Sequence, residues 1–135
     1  MSSVAEVVIL GGGICGLAAG LAPTKYVLPS PRISIFELRP EPATTGGAIN
    51  LTPNALWYLD HLGALDVIKQ KDFGANVDKI ELFSLGTGAR LGEIDFTNAS
   101  NKGEGFDNLP YKAMRILRAD LIMGLLQIIL KHENV

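Results

Sequence analysis

Gly11, Gly13 and Gly16 stand in a G-x-G-x-x-G spacing, and an acidic residue, Glu37, follows about 20 residues later. Glycines so placed turn the chain sharply out of a strand, bring its backbone against a pyrophosphate with no Cβ in the way, and let the next helix pack closely. A helix beginning there offers unpaired N–H groups and a partial positive charge to phosphate oxygens. Glu37 could accept hydrogen bonds from the ribose hydroxyls of an adenine dinucleotide, and it would repel a 2′-phosphate, which disfavours NADP at this site. FAD and NAD both fit these residues. Cys15, inside the motif and without a companion thiol, is read as a small packing residue rather than a redox centre. His61 and His132 have no ligand-type neighbours at metal spacing, so no metal site is expected.

The elements around these residues supply the context the motif requires. Val7 to Leu10 form a continuous apolar run, expected as a parallel strand covered on both faces. Small and apolar residues from Ile14 to Leu21 suit a tightly packed helix, expected to stop at Pro23. Ile33 to Glu37, rich in β-branched and aromatic residues, completes a βαβ unit with Glu37 at the end of the second strand. Thr52-Pro53 pairs an N-cap residue with proline at the first helical position, opening a helix that runs to a C-cap at Gly63, and a short helical turn follows at Leu65 to Ile68. Asp78 to Leu85 and Arg90 to Phe96 read as an antiparallel strand pair around Gly86-Thr87-Gly88. Asn98 to Pro110 reads as a polar loop, and Arg118 to His132 has the spacing of a long amphipathic helix.

With 135 residues, 47% of them hydrophobic, the chain suffices for one domain with a core. A net charge of −2 and scattered charges offer no basic stripe for nucleic acid and no polybasic membrane patch, so a small-molecule partner is expected. The apolar segment Val4 to Ala22 lacks a preceding basic residue and is interrupted by Glu6 and by glycines, against a signal peptide or membrane span. The single cysteine excludes an internal disulfide and fits an intracellular, cytoplasmic setting.

The stretch Gly46-Gly47-Ala48-Ile49-Asn50-Leu51-Thr52-Pro53-Asn54-Ala55-Leu56 narrows the reading. It resembles the class A FAD-dependent aromatic monooxygenases, in particular the salicylate-hydroxylase-like branch of the para-hydroxybenzoate hydroxylase family. Asp60 to Gly63 continues the likeness, and Arg118-Ala119-Asp120-Leu121 resembles the R-x-x-L helix start whose arginine contacts the FAD. Arg115, three residues earlier, competes for that role if both lie on one helix face. The resemblance implies a Rossmann-like βαβ FAD-binding domain of the para-hydroxybenzoate hydroxylase type, with an antiparallel strand pair and a C-terminal helix. It also implies cofactor contacts from Gly11, Gly13, Gly16, Glu37, Arg39, Ala48 and Arg118, with no catalytic acid, base or nucleophile among the residues of this chain. Family members use NAD(P)H and oxygen to hydroxylate a small, generally aromatic substrate, the flavin carrying the chemistry.

Two motifs of that family, a D-G and a later G-D, are absent, so residues 1–135 are expected to be the N-terminal portion only of the FAD-binding domain, inactive alone. The family's commoner glycine pattern is replaced here by Gly46-Gly47-Ala48. Two other readings stay open: another FAD- or NAD-dependent oxidoreductase sharing only the βαβ unit, and a nucleotide-binding module without chemistry.

Overall fold

In a computed structural model, residues 6–41, 46–97 and 111–135 are described. The expected loop from Asn98 to Pro110 lies outside them. β1 (Glu6–Leu10) and β2 (Arg32–Phe36) pair in parallel, Val7 opposite Ile33 and Ile9 opposite Ile35, with α1 (Ile14–Tyr26) as the crossover. α1 covers one face only. Ile9 and Ile35 point at it, while Val8, Leu10 and Phe36 on the opposite face are 58%, 84% and 61% exposed. The apolar run of β1 was expected to be covered on both faces; among the described residues the second layer is lacking, and the burial alternates.

α1 also runs through Pro23 to Tyr26 rather than stopping before it. Proline removes the hydrogen bond to the carbonyl four residues back, but the last turn is held from elsewhere. The Pro23 carbonyl accepts from Val27 N–H, and Lys25 Nζ and Tyr26 Oη both donate to the His61 carbonyl.

β3 (Ala48–Leu51), β4 (Ala75–Val77) and β7 (Ala113–Leu117) form an antiparallel sheet with β7 in the centre. Between β3 and β4 lie α2 (Pro53–His61) and α3 (Ala64–Gln70). The Thr52 hydroxyl accepts from Ala55 N–H and Pro53 occupies the first turn of α2, whereas Gly63, at φ +78, terminates it with its N–H on the Asp60 carbonyl. β5 (Lys79–Phe83) and β6 (Arg90–Asp95) form the expected hairpin. One face carries Lys79, Glu81, Arg90 and Glu93 in an exposed ion-pair network, worth little individually.

α4 (Arg118–Ile129) joins the pieces. Its buried face, Leu121, Ile122, Leu125 and Ile129, packs with Leu17 and Leu21 of α1, Leu65 and Ile68 of α3 and Ile116 of β7. Gly20 permits the α1–α4 approach, since a Cβ there would lie 2.8 Å from Ile129 Cδ1 and 2.9 Å from Ile35 Cδ1. After α4, Asn134 lies against the start of β2: its carbonyl accepts from Ile33 N–H at 2.7 Å and its amide donates to the Pro31 carbonyl at 2.7 Å.

Tyr111 Oη donates to Asp60 Oδ2 at 2.5 Å, tying the start of β7 to α2, and this bond raises the tyrosine's pKa. Tyr111→Phe is expected to cost about 1 kcal/mol. Thermal unfolding followed by circular dichroism should register this as a fall in Tm of about 4 °C.

Candidate dinucleotide site

The glycine turn joins β1 to α1 and faces the end of β2. Gly11 adopts φ +110, a conformation open mainly to glycine, and its N–H donates to the Phe36 carbonyl at 2.7 Å. A Cβ on Gly16 would lie 1.8 Å from the Gly11 carbonyl oxygen, so only glycine lets α1 start this close to the strand. Gly13 differs from both, because nothing lies within 4 Å of where its Cβ would be. It is the N-cap of α1, no side chain caps the helix, and its first turn holds no acidic residue. Backbone N–H groups at this end are therefore not spent on side-chain caps, and the space over Gly13 is open to an anion.

Glu37 closes the turn from the other side. Its two oxygens take separate backbone donors, Oε2 from Gly12 N–H at 2.7 Å and Oε1 from Arg39 N–H at 3.0 Å. The Arg39 and Gly12 bonds, with the Arg39 charge, hold the carboxyl below the usual 4.5. Gly12 occupies a variable position of the motif, and sequence reasoning passed over it. A Cβ there would approach Glu37 Cβ to 3.1 Å, so a small residue is needed to seat the carboxylate. Beside it, Leu126, Leu130 and Val135 line a cleft of about 330 Å³ with Gly12, Glu37 and Arg39 at its polar end. An apolar slot with a carboxylate at one end suits a flat heterocycle carrying a sugar.

Because the folded pKa of Glu37 lies below the unfolded one, its contribution to stability is complete above about pH 4.5 and is lost as pH falls through the folded value. Accordingly, the Tm difference between the wild type and Glu37→Gln should be flat from neutral pH down to that point and shrink below it. A difference that instead grows on acidification would mean that the carboxylate is not stabilised by these two N–H groups.

Ala48 and Arg118 form a second cluster. Ala48 of β3 pairs with Leu117 of β7, and Arg118 begins α4 directly afterwards. Arg118 N–H donates to the Gly47 carbonyl at 3.2 Å. Gly46, at φ +126, turns its Cα toward the Arg118 side chain, leaving 3.5 Å between its absent Cβ and Arg118 Cδ. The exposed guanidinium thus stands beside the glycine loop leading into β3. Arg115 does not share a helix face with Arg118, because it lies within β7, opposite Asn50. Among the described residues no group of three or more His, Cys, Asp or Glu could hold a metal ion, and no helix is long and apolar enough to cross a membrane.

No protein-family model matches the chain. It is 33% identical over 115 residues, 85% of its length, to 3-hydroxybenzoate 6-hydroxylase 1 of Aquipseudomonas alcaligenes, and covers 27% of that protein. It is 35% identical over 74 residues, 53% of its length, to the FAD-dependent monooxygenase OpS4 of Beauveria bassiana strain ARSEF 2860, and covers 17% of it. Its fold matches 2-methyl-3-hydroxypyridine-5-carboxylic acid oxygenase with a TM-score of 0.72 at 20% identity, over 96% of this chain and 30% of that one. The chain is thus similar to class A flavin-dependent monooxygenases in sequence and in fold. It spans 27% or less of the length of these two curated relatives. The fold is α/β, with four helices and small sheets among the described residues, and it is shared with flavin-dependent monooxygenases of known structure.

Proposed function

We propose that residues 1–135 are the N-terminal portion of a Rossmann-like FAD-binding domain, of the para-hydroxybenzoate hydroxylase type. The whole protein would use O2 and NAD(P)H to hydroxylate a small aromatic substrate. The observation that carries the reading is the pairing of an open, uncapped glycine turn at Gly13 with a carboxylate fixed beside it at Glu37. Relatives named for FAD dependence and for aromatic hydroxylation support FAD over NAD as the occupant.

In this reading the backbone of Gly11 to Gly16 receives the pyrophosphate, Glu37 the ribose hydroxyls, and the cleft at Leu126 and Leu130 the adenine. Arg39 would neutralise charge at the same end. Ala48 and Arg118 would border the flavin side, with the Arg118 fork of donors suited to phosphate or ribityl oxygens. FAD, when bound, supplies the oxygen-activating chemistry, while this chain's residues bind and orient it. An intracellular location and the absence of nucleic-acid partners belong to the same proposal.

The test is retention of FAD by the purified chain after desalting, read by visible absorbance and flavin fluorescence. Retained flavin that is lost in the Glu37→Ala, Arg118→Ala double variant is the expected result. No retention by the wild type would refute independent binding by this portion. Hydroxylation driven by NAD(P)H in the same sample would refute the proposal that it is inactive alone.

A further inference from the structure

We propose that Arg115 is a specificity-determining residue that receives the anionic group of the aromatic substrate, with Asn50 beside it; this rests on the monooxygenase reading above. Arg115 occupies the middle of the central strand β7, with Asn50 of β3 as its cross-strand partner on one side and Ala75 of β4 on the other. Directly opposed residues project from the same face, so Asn50, Arg115 and Ala75 form one row. All three are exposed, whereas Met114 and Ile116, which alternate with Arg115, are buried in the core.

Among the described residues Arg115 makes no ion pair or side-chain hydrogen bond, and no row neighbour bears a negative charge. Basic side chains nearby do have acidic partners: Lys112, just before β7, is 3.9 Å from Asp78, and in the β5–β6 hairpin Lys79 is 3.5 Å and Arg90 3.3 Å from Glu81. A guanidinium left open beside a neutral amide and a small alanine has two kinds of donor and room for a planar carboxylate.

Position then selects the ligand. The next row on the same face is Ala48 opposite Leu117, immediately before Arg118. Two residues along a strand separate the rows by about 7 Å. That step matches one benzene ring carrying a carboxylate, with the ring toward the flavin border at Ala48 and the charge at Arg115. A neutral ring would gain nothing from the guanidinium. Discrimination would come from a charge-assisted hydrogen bond, which corresponds to roughly tenfold or more in affinity.

The experiment follows the arginine Nε–H signals by nitrogen NMR in the 135-residue chain, without and then with FAD, during titration with benzoate or benzamide. Arg115→Gln assigns the signal. Benzoate is expected to shift the Arg115 resonance saturably and at least tenfold more effectively than benzamide, with Asn50→Leu weakening the response. Equal responses to the two probes, or none, overturn the proposal. A shift caused by FAD itself, with no further effect of benzoate, also overturns it by making Arg115 a cofactor contact. Flavin retention is read on the same samples, so failure of the cofactor reading is seen separately from failure at Arg115.

Discussion

Gly16→Ala is expected to leave little folded chain, whereas Gly13→Ala should fold like the wild type and retain no flavin. Both substitutions add one methyl to the same motif, and the surroundings decide the outcome. At Gly16 the methyl would sit 1.8 Å from the Gly11 carbonyl oxygen, which is backbone and cannot rotate away. Separating α1 from β1 to relieve that contact would also disturb the seat of Leu17 and Leu21 in the core. A cost of about 3 kcal/mol or more follows, against the about 5–15 kcal/mol that holds an ordinary domain. At Gly13 the methyl meets nothing within 4 Å, and φ is −74, which alanine adopts freely. Loss of a glycine N-cap costs about 1 kcal/mol or less. The same methyl would occupy the space proposed for the pyrophosphate. Circular dichroism melts and flavin absorbance after desalting, measured on both variants, separate the two effects. Gly13→Ala that still holds flavin would remove the pyrophosphate from that position.

What was legible in the sequence was local. The Thr52-Pro53 helix start, the Gly63 stop and the β5–β6 hairpin each depend on residues close in sequence, the β1–α1–β2 unit on three consecutive elements with the glycine motif at their first turn, and all are present in the structure. The sheet of β3, β7 and β4 escaped the reading because its partners are far apart in sequence, Ala48 pairing with Leu117 and Ala75 with Arg115. These strands are also short, and β3 follows glycines that read as a loop. The alternative that Arg115 could share a helix face with Arg118 fails for the same reason: a spacing of three residues has helical meaning only inside a helix, and Leu117 is the cap. Pro23 misled because its effect on a helix end depends on Lys25 and Tyr26 reaching a carbonyl on α2. Gly12 was invisible as a functional position because the motif leaves it variable, and only the folded chain brings its N–H to Glu37.

Leu125→Ala should be the most destabilising change away from the glycine turn, and its response to FAD should differ in kind from that of the site variants. Leu125 is fully buried on α4, in the core shared with α1 and α3. Truncation there costs about 2–5 kcal/mol through lost burial and a residual cavity. A ligand that binds only the folded state adds stability set by its concentration over Kd, about 2.7 kcal/mol at a hundredfold excess. FAD at that excess would therefore offset much of the Leu125 defect. Leu125 does not itself line the cleft proposed for the adenine, so the two free energies are expected to add. The FAD-induced rise in Tm is thus expected to be about the same for the wild type and Leu125→Ala, from different starting points. Glu37→Ala combined with Arg118→Ala should show the converse, with a ligand-free Tm lowered by the loss of the Glu37 hydrogen bonds to Gly12 and Arg39 and little further rise with FAD. If Leu125→Ala loses the FAD increment as well, α4 does more than support the fold: its packing sets the geometry of the turn and of Arg118, and the two clusters act as one site through that helix.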